Sequence, residues 1–136
     1  MRRVFFGIII FMSMVSASVS QPDDRAAIRN IIQQQIEAFQ NNDVETAFSF
    51  ASPNLQRGFG SAQNFGLMVQ RGYPMVWRPR DFAFGPLRLE NGRQHQVMIF
   101  TDRAGNRHFL DYELGQETGD WRIYSVVPIT APDVGV

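Results

Sequence analysis

Apolar residues recur at helical spacing in the first third of residues 21–136. Ile28, Ile31, Ile32, Ile36 and Phe39 fall every three or four positions, with Arg29, Asn30, Gln33, Gln34 and Glu37 between them. That pattern predicts an amphipathic helix, capped by Asp23 or Asp24 and running to about Gln40. Asn41-Asn42 ends it. Asp43 starts a second, short helix with Val44, Ala47, Phe48 and Ala51 on one face. Ser52-Pro53 reads as an N-cap followed by proline at the first helical position, opening a further turn through Gln56. Ser61 caps another helix, Ala62 to Arg71, whose inner face is Phe65, Met68 and Val69, and Gly72 stops it.

After Tyr73-Pro74 the period changes. Met75-Val76-Trp77-Arg78 reads as a short extended piece. Asp81 to Glu90 alternates, and Gly85-Pro86 shifts its phase by one, which predicts a bulge or bend. Asn91-Gly92 is a hairpin signal. Gln94–Thr101 and Asn106–Gly115 are strands joined by a turn at Asp102-Arg103-Ala104-Gly105. A last turn, Glu117 to Asp120, leads into a strand from Trp121 to Val127, with Trp121, Ile123 and Val127 on one face. Helices first and an antiparallel meander afterwards mean an α+β fold, with the helices covering one face of a curved antiparallel sheet.

The N-terminus has a different character. Met1-Arg2-Arg3 is a basic head, Val4–Val15 is almost wholly apolar, and small residues follow at Ser16-Ala17-Ser18-Val19-Ser20. These are the marks of a signal peptide over residues 1–20. The apolar run is far short of the roughly 20 residues of a membrane span. The expectation is therefore an exported protein, periplasmic or secreted, with no stable membrane anchor after cleavage and one domain over residues 21–136.

Composition removes many chemistries. There is no cysteine and no lysine; all 13 cationic side chains are arginine. No disulfide, thiolate metal site, cysteine nucleophile, Schiff base or phosphate-loop lysine can form. Arg2 and Arg3 leave with the leader, so the remaining domain is slightly acidic. That argues against a nucleic-acid partner. No cofactor is expected.

The helix order and the meander resemble the nuclear transport factor 2-like superfamily, a cone-shaped α+β fold. The residues carrying this are the helix Ile28–Phe39, the Asn42-Asp43 loop, the helix through Ala47-Phe48 and the closing Gly119-Asp120-Trp121-Arg122-Ile123. More narrowly, residues 21–136 resemble an exported bacterial family, domain-of-unknown-function family 4864. That match rests on Phe50-Ala51-Ser52-Pro53, Phe59-Gly60, Phe65, Met68-Val69, Tyr73-Pro74-Met75-Val76 and the C-terminal Gly-Asp-Trp-Arg-Ile. The family resemblance implies a fold and no activity.

Candidate chemistry is thin. A turn closing on Asp102 and Asn106 sets His95 opposite Glu113, Val97 opposite Asp111 and Phe100 opposite His108. His95 and His108 then lie on opposite faces. A one-residue slip would put them on one face but four residues apart, about 13 Å. A two-histidine metal site fails in both registers, and no metal is expected. His95, Asp111 and Glu113 share a face and are the candidates for general acid–base work; the plainer alternative is a cross-strand pair on the solvent side. Tyr73, Trp77, Arg78 and Tyr112 are the candidate ligand-binding residues, suited to a small apolar or anionic ligand. Ser52 is read as a cap rather than a nucleophile. Two functions compete. One is a non-catalytic domain binding a small ligand or a protein, with a homodimer as a further expectation. The other is a cofactor-independent isomerase-, dehydratase- or cyclase-like enzyme with a strand histidine or carboxylate as base.

Overall fold

The computed structural model describes residues 22–131. The expected signal peptide lies outside them. Helix α1, Pro22–Gln40, buries most of its apolar stripe: Ile28, Ile32, Ile36 and Phe39 are at most 1% exposed, and Ile31 at its margin is half-buried. Asp23 and Asp24 fall inside its first turn rather than before it, because the helix begins at Pro22. Asn42 turns the chain with a positive φ. Asp43 then caps α2, Val44–Ser49, by accepting from the Thr46 amide (3.2 Å) and hydroxyl (2.6 Å).

Ser52 caps α3, Pro53–Phe59, accepting from the Leu55 amide at 3.3 Å, with Pro53 opening the helix. Ser61 caps α4, Ala62–Gly72, through the Asn64 amide. Gly66 on α4 has no side chain because α2 crosses there; a Cβ at this position would sit 2.5 Å from Val44 Cγ1.

The segment read as extended, Met75 to Arg78, is instead a single helical turn, α5, Pro74–Trp77. The Tyr73 carbonyl accepts from the amides of Val76 and Trp77, and Pro74 O accepts from Arg78 N. Proline supplies a helical φ at the first position. The turn buries Val76 and lays the Trp77 ring 5.6 Å from that of Phe39. These tertiary contacts override the strand preference of Val and Trp.

Four strands follow: β1 Asp81–Glu90, β2 Arg93–Thr101, β3 Arg107–Glu117 and β4 Asp120–Ile129. They form one antiparallel sheet in sequence order. The β2–β3 register is the one that the Asp102 turn predicts, with His95 opposite Glu113 and Phe100 opposite His108. Asp102 locks that turn by accepting from the amides of Ala104 and Asn106. Asn91 and Gly92, both with positive φ, make the two-residue β1–β2 turn.

Two bulges bend the sheet. One lies between Phe84 and Leu87, where Gln96 Nε2 reaches the Gly85 carbonyl at 2.9 Å. The other lies opposite Glu113 and Leu114, with Tyr124 as the extra residue of β4. The second bulge changes the reading of β4. Val126, opposite Tyr112, joins Ile123 on the inner side, and Val127 is left 46% exposed on the outer one.

Helices cover the inner face only. Met98, Phe100, Leu110, Tyr112 and Leu114 meet the helices there and are at most 1% exposed. Burying each such side chain contributes about 1.5–3 kcal/mol before its ordering entropy is counted. The free edge of β4 is partly closed by Ala51. Around it, Ser52 N donates to Ile123 O and Ile123 N to Phe50 O, both at 2.8 Å.

Candidate functional site

Strand alternation separates two environments. On the inner face, between helices and sheet, lies a cleft of about 270 Å³. Phe39 of α1, Leu55 and Phe59 of α3 and Phe65, Met68 and Val69 of α4 wall it on one side. Tyr112, Ile123 and Val126 form its floor. Phe65 is the hub of the wall, its ring 5.7, 5.4 and 5.3 Å from those of Phe39, Phe48 and Phe59.

Four residues with polar side chains border this cleft: Gln35, Tyr73, Tyr112 and Ser125. The Tyr73 hydroxyl donates to the Val126 carbonyl at 3.3 Å. The Ser125 hydroxyl donates to Glu113 on the outer face. Gln35 Nε2 donates to the Ala47 carbonyl at 3.1 Å, which leaves its Oε1 without a partner among the described residues. Tyr112 is 1% exposed, and its hydroxyl likewise has no partner there. Burial pushes that hydroxyl well above the ordinary tyrosine range, with the nearby Tyr73 adding to the effect. It stays protonated and remains a donor throughout the physiological range.

The outer face carries the charges. His95 Nδ1 lies 3.0 Å from Asp111 Oδ2, and Arg88 Nη2 donates to the same oxygen at 2.8 Å. Asp111 is 6% exposed although no helix covers it; Arg88 and His95 shield it. Arg93 pairs with Glu113 at 3.0 Å and stacks on the Tyr124 ring. Farther along this face Ala83, Ile99, Phe109 and Ile129 form a cross-strand apolar row.

The sequence candidates therefore divide. Tyr73 and Tyr112 line the cleft. His95, Asp111 and Glu113 share a face, but it is the one turned away from the cleft. Trp77 and Arg78 border a separate groove with Asp102, Arg103 and His108. Arg78 is already engaged: it donates to the Phe39 carbonyl at the end of α1 and to Asn42, and it stacks on Trp77. A guanidinium there places a positive charge at the C-terminal end of α1, where the helix dipole favours it. Ser52 is spent on its cap.

Gln35, Leu55 and Phe59 were not read from the sequence as site residues. Gln35 had a signal: Ile28, Ile32, Gln35 and Phe39 are spaced four, three and four apart, so this glutamine sits on the apolar stripe. Among the described residues no cluster of three or more metal-ligating side chains occurs, and no helix is long and apolar enough to cross a membrane.

A family model described as "Domain of unknown function (DUF4864)" matches residues 21–136. No curated protein and no solved structure matches the chain.

Proposed function

The chain belongs to the DUF4864 family, and on that premise we propose that it is an exported, non-catalytic protein that binds a small, largely apolar ligand in the inner cleft. The observation that carries this reading is the pair of unspent polar atoms, Tyr112 Oη and Gln35 Oε1, at an otherwise apolar site. Interiors are normally close-packed and their buried polar groups paired. A bound molecule would fill the cleft and give these two atoms partners. The residues that carry the family resemblance support the same place: Ala51, Phe59, Phe65, Met68, Val69, Tyr73, Val76 and Ile123 all border the cleft. Helices over one side of a twice-bulged sheet also support a nuclear transport factor 2-like fold, in which such a cleft is the natural site.

The enzyme reading has less behind it. The cleft is bordered by no carboxylate and no imidazole. A base drawn from His95, Asp111 or Glu113 would have to act on the outer face, where each is engaged with a neighbour.

The test is a thermal-shift titration with n-propylbenzene on the protein and on Val126→Phe, which fills the cleft from its floor. A probe at a hundred times its Kd stabilises by about 2.7 kcal/mol. The wild type should show that rise and Val126→Phe should not. Equal rises in both would place binding elsewhere.

A further inference from the structure

Binding in the inner cleft leaves open what the ligand is, and the cleft's own groups narrow it. None of the residues that border it is cationic. Arg78, the arginine considered from the sequence, is held on the Phe39 carbonyl and Asn42 and does not border this cleft. A carboxylate or phosphate entering here would lose its water without gaining a counter-charge, which costs far more than a neutral polar group does. The anionic alternative therefore fits this site poorly.

Two polar atoms at the cleft have no hydrogen bond among the described residues, and they are of opposite kinds. Tyr112 offers a hydroxyl that burial keeps protonated, a donor. Gln35 offers Oε1 as an acceptor, with one hydrogen of its amide nitrogen held by Ala47 O. The amide cannot turn over without losing that bond. The hydroxyls of Tyr73 and Ser125 are already donated. A ligand group that answers both atoms must accept from one and donate to the other, as a hydroxyl does. Four aromatic side chains, Phe39, Phe59, Phe65 and Tyr73, border the rest of the cleft and suit a ring.

We propose that the cleft takes a neutral, hydroxyl-bearing aromatic molecule of the phenol class, which accepts a hydrogen bond from Tyr112 and donates one to Gln35. This rests on the reading of the cleft as a ligand site. The volume, about 270 Å³, lies near the lower end of ordinary small-molecule pockets, so one substituted ring suits it better than a polycyclic body.

The experiment is calorimetry with four probes of matched shape: 4-propylphenol, 4-propylanisole, n-propylbenzene and 4-propylbenzoate. One net hydrogen bond is worth about a factor of 2–10 in Kd. The phenol should bind about tenfold more tightly than the hydrocarbon and severalfold more tightly than the methyl ether, which cannot donate. The benzoate should be the weakest of the polar probes at pH 7. In Tyr112→Phe the phenol should lose most of its advantage while the hydrocarbon binds as before. Equal affinity of phenol and hydrocarbon in the wild type would overturn the phenol assignment and leave the apolar site standing. Tightest binding by the benzoate would overturn its neutrality. Binding by none of the four would overturn the ligand site itself.

Discussion

Asp111 and Tyr112 are adjacent on β3 and face opposite sides of the sheet: the carboxylate meets Arg88 and His95 outside, and the phenol borders the cleft inside. Every ionisable group that invited an acid–base reading follows Asp111 outward. Ligand-facing chemistry follows Tyr112 inward. This alternation separates what stabilises the sheet from what we propose binds.

Asp111→Asn should therefore weaken the fold and leave the cleft alone. It removes the negative charge and one of the two oxygens that hold Arg88 and His95, yet Arg88 is nearly half exposed, so the loss is moderate, about 1–2 kcal/mol. Urea denaturation should show that drop. The Kd of 4-propylphenol should stay within twofold of wild type. A tenfold loss of affinity would tie the outer cluster to the site.

Tyr112→Phe should behave unlike most core substitutions. It deletes a hydroxyl that has no hydrogen bond among the described residues, so the protein without ligand should be about as stable as wild type, whereas typical core changes cost about 1 kcal/mol or more. A clear loss of stability by denaturant titration would mean that the hydroxyl has a partner.

The same residue sets an alkaline limit. Tyr112 has its folded pKa raised, first by burial, so the folded state holds its proton more tightly than the unfolded chain does. Its contribution is whole below about pH 10, the unfolded value, and is lost as pH rises from there toward the folded value. Wild-type stability should fall between pH 7 and pH 11 more steeply than that of Tyr112→Phe. Tyr124, also raised by desolvation and by its bond to Glu117, is present in both and cancels in the comparison.

Gly66→Ala should push α2 and α4 apart, since its Cβ would meet Val44 Cγ1 at 2.5 Å. Overpacking of this kind costs about 1–3 kcal/mol. Adding Val44→Ala should recover much of that, and a double-mutant cycle measures the coupling. Additive effects would mean that the crossing is looser than described.

Ser52→Ala should cost about 1 kcal/mol through the lost cap of α3. Its small effect on probe binding would confirm that Ser52 only caps. Loss of binding without loss of stability would give the hydroxyl another role.

Much of this is legible in the sequence. The caps at Asp43, Ser52 and Ser61 are local chemistry, and the residues on either side declare them. The Asp102 turn fixed the β2–β3 register, and with it the opposite placement of His95 and His108. What escaped depended on tertiary contact. The Pro74–Trp77 turn is helical because Trp77 packs on Phe39, which local propensity does not report. The sequence pattern puts Val127 on the face of Ile123 because no glycine or proline beside Tyr124 marks the bulge. The cleft was not visible as a cleft, because periodicity says which residues face inward and not how well they fill the space. Gln35 was passed over inside a run of three glutamines, although its spacing from Ile32 and Phe39 marked it.

The most direct test of the central claim is methyl NMR during a titration with 4-propylphenol. Met68, Val69 and Ile123 border the cleft, while Ile99 and Val127 belong to the outer face. Saturable shifts at the first three, with the last two unmoved, are the predicted result. Shifts confined to Ile99 and Val127 would contradict it and move the site to the face that holds His95 and Asp111.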